Sequence, residues 1–193
     1  THPAMPQRKG IEEEILKGMY LLKAGEKGDK KVQLMGSGVI LNEVIKGAEL
    51  LKNDFGVDAD IWSVPSFNLL HRDAIEVERY NRLHPLEEAK LPFVTRQLQG
   101  YEGPVIASTD YIRSFADRIR AYIPNDYHVL GTDGFGRSDS RANLRDFFEV
   151  DSRHVAVAAL SALAEQGKVG KEVVQQAIEK YGIQTDTAPS WKR

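Results

Sequence analysis

Four short, largely apolar runs recur along this chain: KVQLMG (31–36), ADIWSV (59–64), PVIAS (104–108) and YHVLG (127–131). Helical patterns separate them. Runs this brief suit strands, and their apolar residues do not alternate cleanly with polar ones, so both faces of each strand need cover. Strands joined by helices run parallel, because such a connection must cross back over the sheet. The pattern predicts an α/β fold, a mostly parallel sheet between layers of helices.

The connecting segments agree. Ile40, Leu41, Val44, Ile45, Ala48, Leu51 and Phe55 recur at helical spacing, and Gly56 suits the stop. Residues 66–83 read as a polar helical connection broken at Pro85, with weak ion pairs along EVERYNRLHPLEE. Asp110 is placed to cap a helix whose face is Ile112, Phe115, Ala116, Ile119 and Tyr122, with Pro124 as terminator. Three helical patterns close the chain, around Leu144 and Phe148, along the alanine-rich run to Gly167, and from Val173 to Tyr181 before Gly182. KGMYLLKAG (17–25) either extends a helix or forms a strand, and Gly18 favours a strand after one helical turn. At 193 residues the chain supports one domain with a core. The proline-spaced opening predicts a linker from an upstream domain over residues 1–10 and a single domain over 11–193.

Bulk chemistry narrows the function. Lysine and arginine number 26 against 28 acidic residues, so a net charge of −2 offers no general attraction to nucleic acid or an anionic membrane. Cysteine is absent, which excludes a disulfide framework, a thiol nucleophile and cysteine-ligated metal, and fits the cytosol. The most apolar stretch, VAVAALSALA (155–164), is about half the roughly 20 residues a membrane span needs.

In a parallel sheet the loops after successive strands emerge on one edge. Here they are GSG (36–38), VPS (64–66), STDY (108–111) and GTDGFGRSD (131–139). The candidate interface or anion-binding loop is Asp133, Gly134, Phe135, Gly136, Arg137 and Ser138, with Gly36, Ser37 and Gly38 as a second set. Tight turns and helix caps call for the same residue types, so architecture explains these loops too. As a dinucleotide signature the first loop is weak, because Leu41 stands where the third glycine belongs and the second strand ends in Ser63-Val64 without an acid, though backbone N–H groups at that helix start can still hold an anion. HRDAIEVE, from His71, lacks the asparagine of a kinase catalytic loop, having Glu78 at that distance. The five histidines, among them His128 and His154, show no paired metal spacing. Ser138 reads as a helix cap. Arg137 sits among glycines without a local i+4 partner, free to grip a carboxylate in a fork.

GTDGFGRSDSR followed by LRDFFEVD closely resembles the C-terminal region of the homodimeric bacterial pyruvate dehydrogenases, the decarboxylating first components of their complex. VQLMGSGVIL, SVPSF, ERYNRLHPLE and ASTDYIRSFADRIRAYIP follow the order of that family. GSG and VPSF are shared with the wider transketolase group. The resemblance implies an enzyme that uses thiamin diphosphate and magnesium to decarboxylate pyruvate and acetylate lipoyl groups. It implies a bacterial cytoplasmic homodimer whose other partner is the dihydrolipoyl acetyltransferase component. It also implies that this domain carries a five-stranded mixed sheet with its first strand antiparallel, in an α/β/α sandwich. The group's diphosphate–magnesium motif, GDG with a downstream asparagine, has no counterpart; TDG at 132–134 is the nearest. No catalytic, cofactor-binding or metal residue therefore carries over, and neither cofactor is expected to bind here. Two roles stay open: a structural domain that packs against upstream domains and the dimer mate, and an anion- or nucleotide-binding regulatory module on the strand-edge loops.

Overall fold

The structure, a computed structural model, describes residues 10–26 and 28–193. Apart from Gly10, the expected linker over residues 1–10 lies outside the described residues. The chain begins with helix α1 (Glu12–Lys17), ended by Gly18 at φ 103°. Strand β1 (Tyr20–Lys23) follows, so KGMYLLKAG is a strand after a short helix. Next come β2 (Lys31–Gly36), α2 (Leu41–Phe55), β3 (Asp58–Ser63) and α3 (Phe67–Leu83). A second group is α4 (Phe93–Leu98), β4 (Val105–Ser108), α5 (Arg113–Asp117) and β5 (Tyr127–Leu130). The chain closes with α6 (Arg141–Phe147), α7 (Ser152–Glu165) and α8 (Lys171–Tyr181).

The five strands form one sheet in the order β1-β3-β2-β4-β5. β1 pairs antiparallel with β3, and the remaining pairs are parallel. Adjacent residues on a strand face opposite ways, which divides the core in two. Met35, Trp62 and Ala107 join Phe67 and Leu70 of α3 and Phe93 and Leu98 of α4 in one cluster. Leu34, Ile61 and Ile106 join Val44 and Leu51 of α2 and Val155, Ala159 and Leu160 of α7 in the other. The mixed sheet and three-layer sandwich are those the sequence predicts. Gly47 of α2 permits close approach there, since a β-carbon on it would sit 2.9 Å from Val155 Cγ1.

A buried polar network pins the other end of the sheet. Asp60, wholly buried on β3, accepts from the Gly25 N–H at 2.8 Å and Gln33 Nε2 at 2.9 Å. It also pairs with Lys31 Nζ at 2.9 Å. Gln33 in turn accepts from Trp62 Nε1 at 2.9 Å. At the β5 edge, Arg120 Nη1 donates to the Tyr127 carbonyl at 2.5 Å.

Three local expectations change. The helix expected over 112–122 is only α5 plus a 3₁₀ turn at Arg120–Tyr122. Ala116, Ile119 and Tyr122 are spaced by three, which suits i→i+3 winding, and the bonds Ile119 N to Ala116 O and Tyr122 N to Ile119 O follow it. Asp110 does not cap α5; Ile112 holds that position without a side-chain bond. The α3 charges make no ladder of ion pairs among the described residues. Glu78 accepts from the Tyr122 hydroxyl at 2.7 Å, and Asn81 clamps Lys90 through both its N–H and C=O at 2.9 Å.

Candidate functional site

The chain leaves β2 for one face of the sheet and β4 for the other, so the loops after these neighbouring strands diverge. That point is where open α/β sheets form a crevice. Here it is a cleft of about 440 Å³, lined by Val39 and Ile40 after β2, Asp110 after β4, and Thr132, Gly134, Gly136 and Arg137 after β5. Helix α6 closes it with Arg141, Leu144 and Arg145, and Phe148 and Val150 follow.

Within the 131–139 loop the candidate residues diverge. Asp133 turns inward, accepting from the Arg113 N–H at 3.0 Å and lying 3.2 Å from Arg113 Nε. Thr132 Oγ1 donates to the Asp110 carbonyl at 2.7 Å. Ser190 Oγ donates to the Asp133 carbonyl at 2.6 Å, bringing the C-terminal segment onto the loop. Gly134 has φ 107°, and a β-carbon there would lie 3.0 Å from Trp191 Cα, so both conformation and contact call for glycine. Phe135 stands 92% exposed and does not line the cleft. The Arg137 guanidinium lies 4.3 Å from the Phe147 ring centroid and meets no carboxylate among the described residues. Ser138 is exposed and caps no helix among the described residues; the cap of α6 is Ser140, whose Oγ accepts from the Asn143 N–H at 3.2 Å.

The second set has structural uses. A β-carbon on Gly36 would meet Leu41 Cα at 2.8 Å. Ser37 Oγ lies 2.9 Å from Thr109 Oγ1, a buried bond joining the loops after β2 and β4. Gly38 takes φ 53°.

Sequence reasoning missed the arginines of α6. Arg137, Arg141 and Arg145 recur at intervals of four, the signal that would have revealed a cationic wall. Arg145 Nη1 is held by buried Glu43 Oε1 at 2.8 Å, and Glu43 also accepts from the Ser152 N–H at 3.2 Å. The Arg141 side chain makes no hydrogen bond or ion pair with a described residue.

Away from the cleft, Asp146, Asp151 and His154 bring potential ligand atoms within 4.8 Å of one another. Arg153 already supplies the positive charge there, with Nη2 2.5 Å from Asp146 and 2.6 Å from Asp151. Burial opposes ionisation of Asp151, but hydrogen bonds from the side chain and backbone of His154 and from Arg153 outweigh it and hold the carboxyl well below the usual range. Burial pushes the Tyr127 hydroxyl far above its ordinary range, and it donates to the Ala116 carbonyl at 2.8 Å.

A family model described as the transketolase-like TK C-terminal domain matches residues 18–151. The chain belongs to this transketolase C-terminal family. The matched span runs from the end of α1 to the cap of α7 and so includes the whole sheet and the cleft. This transketolase C-terminal domain is 58% identical over 185 residues to the pyruvate dehydrogenase E1 component of Pseudomonas aeruginosa, covering 95% of the chain and 21% of that protein. To the pyruvate dehydrogenase E1 component of Escherichia coli K12 it is 51% identical, covering 95% and 20%. The chain thus spans about a fifth of the length of these relatives. Its fold is shared with a transketolase of Pichia stipitis, at 18% identity and TM-score 0.53 over 81% of this chain and 19% of that one. No described helix is long and apolar enough to cross a membrane.

Proposed function

We propose that this chain is the C-terminal domain of a thiamin-diphosphate-dependent pyruvate dehydrogenase that decarboxylates pyruvate and acetylates lipoyl groups, and that its own role is architectural. The observation that carries the reading is identity of 51–58% along 95% of the chain to pyruvate dehydrogenase E1 components. The site's chemistry supports the second half. The nearest counterpart of the group's diphosphate–magnesium motif is TDG at 132–134, and its aspartate, Asp133, is engaged by Arg113 and does not line the cleft. The residues present therefore do not fit thiamin diphosphate with magnesium, and the chemistry falls to the rest of the polypeptide.

In this reading the 131–139 loop is a docking element. Asp133 and Ser190 fix its base, and Phe135 stands outward as an apolar anchor for another domain or the dimer mate. The enzyme works as a cytoplasmic homodimer, with the acetyltransferase component as its further partner. The test is complementation. Added to the remaining polypeptide of the Pseudomonas aeruginosa relative, this chain restores pyruvate-dependent turnover, while alone it consumes no pyruvate. Turnover by the chain alone, or none by the mixture once the two are shown to associate, refutes the reading.

A further inference from the structure

Beyond this architectural role, we propose that the cleft at the β2–β4 divergence binds a small organic anion: one phosphate or carboxylate carried on an apolar body. Three independent features meet there. The first is topology, because strand-end crevices at a switch point are where open α/β sheets receive ligands. The second is size and lining. About 440 Å³ falls within the range of small-molecule sites, and Val39, Ile40, Leu144, Phe148 and Val150 provide an apolar floor. Ile40 and Val150 are buried, which sets that floor on the core.

The third feature is unequal use of the arginines. Arg145 is already neutralised by Glu43, a contact that ties the α6 wall to α2. Arg137 stacks on Phe147, which leaves its donors without a carboxylate among the described residues. The side chain of Arg141, exposed and one helical turn before Arg145, has no partner among them. Two uncompensated guanidiniums thus stand on the wall formed by α6 and its preceding loop, and the one carboxylate, Asp110, stands on the β4 loop. Charge on one side only selects a ligand with its anion at one end, and Asp110 disfavours a second negative group. Guanidinium forks match the oxygens of phosphate and carboxylate. Because Phe135 does not line the cleft, the loop can dock outward and bind inward at once.

The experiment is isothermal titration of the full 193-residue chain at fixed ionic strength with 1-naphthyl phosphate, 1-naphthol and inorganic phosphate. The expected result is saturable one-to-one binding of 1-naphthyl phosphate, with the other two at least about tenfold weaker. Arg141→Gln, an exposed change that spares the fold, weakens 1-naphthyl phosphate by about tenfold, while Lys168→Gln on the far side leaves it unchanged. Arg137→Gln gives a second reading of the same wall. The proposal is overturned if 1-naphthyl phosphate does not bind, or if both arginine variants bind it as tightly as the parent chain. Equal affinity for inorganic phosphate reduces the site to surface charge, and equal affinity for 1-naphthol reduces it to a greasy groove; either result also overturns it.

Discussion

Truncating Phe135 to alanine separates a docking side chain from a folding one. At 92% exposure the ring contributes almost nothing to the isolated domain, so Phe135→Ala should shift its unfolding free energy by less than about 0.5 kcal/mol. In an assembly that covers the ring, nearly its whole apolar area leaves water. Burying a phenylalanine side chain contributes about 2–3 kcal/mol, which corresponds to roughly 30- to 150-fold in a dissociation constant. The assay is paired. Urea unfolding is measured on the chain alone, and association with the remaining polypeptide of a pyruvate dehydrogenase relative is measured by sedimentation velocity. Decarboxylation per assembled particle should be preserved. Unchanged association refutes the docking role, and so does a loss of chain stability as large as the loss of association.

Three further outcomes follow from the geometry. Asp60→Ala removes the acceptor of one buried Gln33 amide N–H and of the Gly25 N–H and leaves the Lys31 ammonium without its carboxylate, and should cost about 3–5 kcal/mol in urea unfolding. The Asp151 carboxyl is depressed in the fold, so its stabilisation is present above the unfolded value of about 4 and is lost as pH falls further. Asp151→Asn, which can still cap α7, should therefore flatten the fall in stability between about pH 5 and pH 3 in pH-dependent denaturation. Gly134→Ala meets both a positive φ and Trp191, and should release the C-terminal segment at a cost of about 1–3 kcal/mol, read as increased acrylamide quenching of Trp191.

The sheet was legible because its three central strands are buried on both sides, and a run such as LMG or VIA has no other comfortable home. β1 was harder, and Gly18 decided it by ending α1 with a positive φ. α4 left no trace in the sequence reading, since six residues give less than two turns and Pro92 supplies no side-chain cap. The 131–139 stretch was recognisable as a working loop from its glycines. Its wiring was not, because Asp133 is satisfied by Arg113 twenty positions back and Ser190 reaches it from fifty-seven positions on. Local pattern carries no record of such distant partners. Ser138 was mistaken for the cap that Ser140 provides because either serine satisfies the local rule. The role of Arg145 was not legible because it depends on Glu43, 102 residues away.

The contact between Arg120 and the Tyr127 carbonyl bears on solubility. A terminal strand with idle backbone oxygens is a template on which neighbouring molecules can stack into fibres. Here a charged side chain from the same chain already occupies one such oxygen, and an intruding strand would have to displace it. Removing that guanidinium should therefore show first as turbidity in concentrated samples, before any fall in melting temperature.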